Sequence, residues 1–343
     1  MRETMGRLLA VAAITGSLAG LTSGAATADQ PVTPKPSDIV GVGAQTTGPL
    51  FNELSTGYNG FLTGNGDTTS PRLYSFDSTG SATIVPNQGA QPIGRPTGAN
   101  SGLSALNAIP SDIDFVRTDR APQVGDPASN LFVAFAKDAV SWAAKDGGNA
   151  PPNLTTAQLK GIYNCTITNW QQIDPALPNA TIKPYLPDAG SGTRSFFLNA
   201  IGLQLWSLCV TTGPSENQGV DPQLNDPNAV FPYSVGHYIG QVYYGHSTPQ
   251  DSAGPLTIRN INGVAPVSPG TNTTNYAFAA TAFGRVLYNV VRQAEWTATS
   301  TQGTALRAIF GSSGYICAKA GPVVRSYGFL TLPSVACGST THS

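Results

Sequence analysis

The sequence predicts an α/β protein of two domains. Three observations point there: its length, the alternation of strand-like with helix-like runs, and a recurring link between the two. A chain of 343 residues is long enough for two ordinary domains with a substantial core. Short β-prone runs alternate with stretches whose apolar residues recur every 3.6 positions, the pattern of an α/β layer architecture. Three times the first kind of run passes into the second through a cluster of Gly, Ser, Thr or Asn: "GAQTTGP" (43–49), "TGANSG" (97–102) and "DAGSGTR" (188–194).

Strand candidates are residues 38–44, 113–118, 131–137 and 139–145. Helix candidates follow the apolar period. In 48–59, Leu50, Phe51, Leu54 and Tyr58 share a face, and in 101–109 so do Leu103, Leu106 and Ile109. Phe196, Phe197, Ala200 and Ile201 form the apolar stripe that follows the third small-residue cluster. "LTTAQLKGIY" offers Thr155 as an N-cap before Leu159 and Ile162. A longer helix is expected at "TAFGRVLYNVVRQAEW" (281–296), with Phe283, Val286, Leu287 and Val290 in register. Trp170 and Trp206 read as packing residues, and so do Tyr233, Tyr238, Tyr243 and Tyr244.

A net charge of -1 with 11% charged residues leaves no basic footprint, which argues against nucleic-acid binding. The 38 Gly and 27 Pro are spread without a short repeat, as in a loop-rich globular chain. Arg2 and Arg7 precede "LLAVAAITGSLAGL", the charged and apolar regions of a signal peptide (1–28) with Ala26-Thr27-Ala28 as its cleavage site. No Cys precedes Cys165, so no lipid-anchor cysteine is expected. Residues 29–36 are Pro-rich and read as a flexible lead. No later stretch is apolar enough to span a bilayer, so the expectation is a secreted or periplasmic protein without stable membrane insertion. Four cysteines suit an oxidising compartment and allow three connectivities. The local pairs Cys165–Cys209 and Cys317–Cys337 are preferred, each closing a loop within one unit. There is no C-x-x-C pair, and the histidines are His237, His246 and His342, which speaks against a metal site. No cofactor is expected.

The three small-residue clusters carry the chemistry. A helix start presents backbone N–H groups without intrahelical partners and a partial positive charge. Glycines let a ligand approach and hydroxyls add donors, so several such starts converging would hold a small anion without a metal. Ordinary helix capping is the plainer reading of each cluster taken singly. A serine hydrolase is a further alternative, with Ser191 as nucleophile and His237 as base. However, Ala189-Gly190-Ser191-Gly192-Thr193 departs from the G-x-S-x-G elbow.

"NLTTAQLKGIYNCTITNWQQI" (153–173), followed by "GSGTRSFF", resembles the substrate-binding proteins of phosphate ABC transporters. "IDFVRTDRAP", "VFPYSVGHYIGQ" and "VVRSYGFLTLP" are similar to further segments of that family in the same order, so the resemblance covers roughly residues 38–333. It implies a type II periplasmic-binding-protein fold, two α/β lobes joined by two crossing hinge strands. Lobe 1 would take 37–130 plus 266–343, and lobe 2 would take 131–265. It further implies a monomer that captures phosphate or a related oxyanion between the lobes, for uptake with an ABC permease. By the same resemblance, Thr46, Thr47 and Ser101 would donate to the ligand from lobe 1, and Ser191, Gly192 and Thr193 from lobe 2. Asp119 would accept a proton from a protonated oxyanion, which discriminates against sulfate. The family often has an Arg four residues before this Ser, where the chain has Pro187. Arg194 or Arg117 would have to supply the missing cation, while Arg120 reads as a salt-bridging residue. A relative that has lost anion capture and serves as a secreted interaction protein is the other reading that Pro187 suggests.

Overall fold

The computed structural model describes residues 32–341. The expected leader (1–28), the start of the Pro-rich lead and His342 lie outside the described residues. From Pro34 onward the lead is docked: Gln88 N donates to Pro34 O at 2.8 Å and Lys35 N to an Asp38 carboxylate oxygen at 2.7 Å. Among the described residues, no helix is long and apolar enough to cross a membrane.

Ten strands form one sheet. In chain order they are β1 (Ile39–Gly43), β2 (Leu73–Ser75), β3 (Phe115–Thr118), β4 (Asn130–Lys145), β5 (Lys183–Leu186), β6 (Thr211–Thr212), β7 (Ala229–Ser234), β8 (Leu256–Ile258), β9 (Gly284–Arg292) and β10 (Leu330–Thr331). The spatial order is β2-β1-β3-β9-β4-β7-β5-β6, with β8 and β10 also paired to β4. The flanking groups β2-β1-β3 and β7-β5-β6 are parallel, whereas β9 and β4 run antiparallel to each other and to their other neighbours. Two parallel α/β units therefore share one antiparallel pair of strands at the middle.

The principal helices are α1 (Gly48–Gly64), α2 (Ala99–Leu106), α3 (Thr156–Tyr163), α4 (Gly192–Ala200), α5 (Val235–Tyr243) and α6 (Thr301–Phe310). Strand alternation sorts them onto faces. Val133 and Phe135 of β4 pack with Leu50, Phe51 and Leu54 of α1 and Leu306 and Phe310 of α6. Phe132 and Ala134, pointing the other way, pack with Leu103 and Leu106 of α2. Beyond Asp138 the same strand serves a second core: Val140 and Trp142 pack with Leu159 and Ile162 of α3 and Phe197 of α4. Ala143, on the reverse face, joins Tyr233, Tyr238 and Leu256. Trp170 is fully buried and donates Nε1–H to Asn228 Oδ1 at 3.0 Å, so it is a packing residue as expected. Thr155 caps α3 in a reciprocal capping box with Gln158.

Two expectations about elements fail, and both involve the shared pair. The runs 131–137 and 139–145 are one 16-residue strand, β4, that continues through Lys137 and Asp138. The segment expected as a long helix at 281–296 is strand β9 followed by the short helix Gln293–Thr297. Its β-branched Val286, Val290 and Val291 favour an extended backbone. Burial on both faces had removed the alternation that would have revealed a strand. Both disulfides join the expected residues, Cys165–Cys209 and Cys317–Cys337.

Candidate functional site

The two cores meet at a buried polar cluster built from six places in the chain. On one side the 3₁₀ turn Gln45–Thr47 leads into α1, and Asp119 follows the end of β3. On the other, Ser191 caps α4, its Oγ accepting from Arg194 N at 3.0 Å. Between them stand Asp138 of β4 and Arg285 of β9, cross-strand neighbours on the shared pair. The sixth contribution is Glu216, from the loop between β6 and β7.

Arg285 is the cation of the cluster. Its Nη1 donates to Asp119 Oδ2 at 3.0 Å, and its Nη2 and Nε donate to Asp138 Oδ2 at 2.8 and 3.0 Å. Burial opposes its charge, but Asp119, Asp138 and Glu216 outweigh it and hold the guanidinium firmly protonated. Asp138 also accepts from Ser234 Oγ at 2.8 Å and Gly236 N at 2.9 Å, so it anchors the first turn of α5. Asp119 Oδ2 accepts from Thr46 Oγ1 at 2.9 Å and Thr193 Oγ1 at 3.1 Å, while its Oδ1 is buried without a hydrogen-bond partner.

Glu216 lies where donors from both sides converge. Its Oε1 faces Thr46 Oγ1 at 2.5 Å and Thr46 N at 3.3 Å. Its Oε2 accepts from Thr193 N at 3.3 Å and, more closely, from Ser191 Oγ. Burial, followed by the charge of Asp119, pushes the Glu216 carboxyl far above the ordinary range, to about 7. The neighbouring Asn217 holds this loop in place: its Nδ2 donates to Thr46 Oγ1 at 3.2 Å and its Oδ1 accepts from Ser234 N at 2.9 Å.

His237 of α5 closes the far side. Its Nδ1 is 2.9 Å from Thr46 O and its Nε2 is 2.8 Å from Asp251 Oδ1. Both partners are acceptors, so only the imidazolium satisfies both contacts. Burial pulls its pKa down, but the Asp251 carboxylate and the Thr46 carbonyl outweigh that and raise it to about 8.

The structure brings Thr46, Asp119, Ser191, Gly192 and Thr193 together, all buried. A Cβ on Gly192 would lie 1.8 Å from Asp119 Oδ1, so the close approach of α4 to this carboxylate requires a glycine. Thr47 is buried beside Thr46 with its hydroxyl unpartnered. Ser101 lies at the seam and not in the cluster: its Oγ receives Gly98 N and donates to Gly98 O, both at 3.1 Å. There the two sides touch, since a Cβ on Gly98 would sit 2.3 Å from Gly190 O.

The two arginines expected to replace the absent one are engaged elsewhere. Arg117 is fully buried and donates to the backbone carbonyls of Ala44, Gly43 and Phe76 and to Ser75 Oγ. Burial lowers its pKa to about 10. Arg194 donates to Pro187 O at 3.0 Å and stacks on Trp206 at 3.9 Å from the ring centroid. Arg120 forms a two-pronged ion pair with Asp126, both contacts at 2.8 Å. The residues of the cluster that sequence reasoning missed are therefore Arg285, Asp138 and Glu216. The β-branched run after Gly284 was the available signal for the first; Glu216, in a Gly- and Asn-rich loop, carries no local signal.

A family model described as a PBP superfamily domain matches residues 76–305, more than half of the chain. The chain is 32% identical over 152 residues to Protein SphX of a Synechocystis species, covering 42% of this chain and 41% of that protein. It is 33% identical over 67 residues to phosphate-binding protein PstS of Staphylococcus saprophyticus, covering 20% and 21% respectively. The matches thus span less than half of either curated relative. Among solved structures, a putative phosphate ABC transporter substrate-binding protein with bound phosphate from Clostridium perfringens superposes with a TM-score of 0.60 at 15% identity, over 86% of this chain and 100% of that one. An ABC-type phosphate transport receptor from Vibrio cholerae gives 0.56 at 17% identity, with 86% and 100% covered. These likenesses establish the two-lobed periplasmic-binding-protein fold. On the family match and the fold together, the chain belongs to the PBP superfamily.

Proposed function

We propose that the chain captures phosphate, or a tetrahedral oxyanion of the same protonation chemistry, between its lobes. The observation that carries this reading is the donor cage itself. Thr46 N, Thr46 Oγ1, Ser191 Oγ and Thr193 N, from opposite lobes, all meet the two oxygens of one carboxylate. Such a cage suits an oxyanion, and Arg285 behind it supplies a fixed positive charge. Asp119 Oδ1, buried and unpartnered, is an acceptor for the O–H of a hydrogen phosphate. Sulfate has no proton to offer there at neutral pH. The names of the relatives and structural neighbours point the same way.

In this reading the protein is exported by the leader 1–28 and hands its ligand to an ABC permease. N-terminal sequencing of the exported protein checks the first point and should begin at Asp29. A hydrolase is disfavoured: the Ser191 hydroxyl donates to Glu216, and both His237 nitrogens are occupied by Thr46 O and Asp251. The direct test is thermal unfolding with phosphate, arsenate and sulfate. Phosphate at a hundred times its Kd should add about 2.7 kcal/mol, arsenate should act similarly, and sulfate should do little. No response to any of the three would sink the proposal.

A further inference from the structure

We propose that Glu216 is a tethered surrogate ligand: its carboxylate occupies the oxyanion position between Thr46, Ser191 and Thr193 and must leave before an external anion enters. The inference rests on the capture reading and goes beyond it, because it assigns to this chain its own internal competitor.

Three observations support it. Both oxygens of Glu216 take donors that an oxyanion would take, from both lobes at once, and the residue is only 4% exposed. The tether is anchored beside it and not at the carboxylate. Asn217 has a positive φ of 58°, is fully buried, and is held through Ser234 N and through its carbonyl by Gln241 Nε2 at 3.0 Å. Rotation about the Glu216 side chain therefore vacates the position without unfolding the loop. Finally, a polar cleft of about 330 Å³ lined by Gln45, Arg95, Thr97, Asp188 and Ser215 lies along the seam. Gln45 and Ser215, which line it, are the chain neighbours of Thr46 and Glu216 in the cage.

Proton counting couples this occupancy to pH. Thr46 Oγ1 touches both Asp119 Oδ2 and Glu216 Oε1, yet a hydroxyl has one proton to give. Both contacts are satisfied when Glu216 is protonated and donates to Thr46 while Thr46 donates to Asp119. The charged and titratable groups facing Glu216 are Asp119 after β3, Arg285 on β9 and His237 on α5. Asp138 lies behind Arg285 and Asp251 behind His237. On α4, the Arg194 guanidinium is turned away to Pro187 O. Burial and the Asp119 charge raise the Glu216 carboxyl to about 7 in the cage, so the protonated side chain is the better occupant and ionisation above about 7 weakens the competitor.

The experiment is calorimetric titration of phosphate into the wild-type protein, Glu216→Ala and Glu216→Gln, from pH 5.5 to 8.5. If the surrogate fills the cage about 90–99% of the time, removing it should tighten the apparent affinity about 10- to 100-fold. Phosphate itself titrates in this range, so the Gln variant, which lacks the ionisable group, supplies the reference slope. The wild type should run parallel to it at acidic pH and tighten relative to it above about 7, where Glu216 ionises. Equal affinity in wild type and both variants overturns the surrogate and leaves oxyanion capture standing. Binding only in the variants supports the surrogate and refutes capture by the native chain. No binding in any of the three, with unfolding temperatures showing that each is folded, overturns both.

Discussion

Replacing Arg285 with Met leaves a shape of similar length without charge, and its cost follows from what remains. Asp119 would keep the hydroxyls of Thr46 and Thr193, and Asp138 would keep Ser234 Oγ and Gly236 N. Both carboxylates are fully buried, so neither can recover solvation where it stands. Removing one partner of a buried ion pair costs about 3–5 kcal/mol, because the other charge is left uncompensated. Here one guanidinium serves two carboxylates, which argues for the upper part of that range. Urea unfolding of wild type and Arg285→Met measures it, and in a chain of this size the corresponding fall in Tm is about 6–7 °C. A second substitution separates charge from packing. Asp138→Asn removes one of the orphaned charges and should be much less harmful in the Arg285→Met background than in the wild type, with a coupling of about 1–3 kcal/mol. A loss below about 1 kcal/mol for Arg285→Met, or additive effects of the two substitutions, would refute the view that this arginine balances the lobe junction.

Gly192→Ala drives a Cβ to 1.8 Å from Asp119 Oδ1; overpacking of this kind costs about 1–3 kcal/mol and should abolish phosphate binding in the same titration, since either α4 or Asp119 must move. His237 has a folded pKa near 8 against 6.5 for the free side chain, so its stabilising contribution is complete below pH 6.5 and is lost as pH rises through 8. The 1.5-unit gap corresponds to about 2 kcal/mol, and His237→Gln should flatten this part of the stability–pH curve. Arg194→Ala should leave phosphate affinity within about threefold while lowering stability by about 1 kcal/mol, because its contacts are Pro187 O and the Trp206 ring; a large loss of affinity would move the ligand-binding charge back to α4.

The pattern of what the sequence revealed has a physical cause. α3 was legible because its cap, its apolar period and its capping-box Gln158 are all local. The start of α4 was legible for the same reason: Ser191, Gly192 and Thr193 are small residues set directly before an apolar stripe. The two misread segments were β4, broken at Asp138, and β9, taken for a helix around Arg285. These residues form the ion pair at the junction. A charged residue inside a strand buried on both faces contradicts the local pattern, and the groups that explain Asp138 are all distant in the chain: Ser234 and Gly236, and Arg285, 147 positions away. Glu216 was hidden in a different way, because its loop has no period to read and its partners Thr46 and Ser191 are 170 and 25 residues distant.

The charges at the junction also bear on which ligand the cage would prefer. Asp119, Asp138 and Glu216 face one arginine, with the His237–Asp251 pair alongside. If Glu216 stayed while an anion entered, a fourth negative charge would join three carboxylates balanced by Arg285 alone. Repulsion at such distances in a buried site is severe. Exchange of Glu216 for the anion keeps the charge nearly constant, and a protonated anion relieves the remainder by donating to Asp119. Capture and displacement are therefore linked through charge. Because Glu216 must leave before any anion enters, it lowers the apparent affinity of every anion by the same factor. Glu216→Ala should therefore tighten phosphate and sulfate alike and leave the phosphate-over-sulfate preference, set by Asp119, unchanged. A relaxed preference in that variant would show that Glu216 stays beside the bound anion.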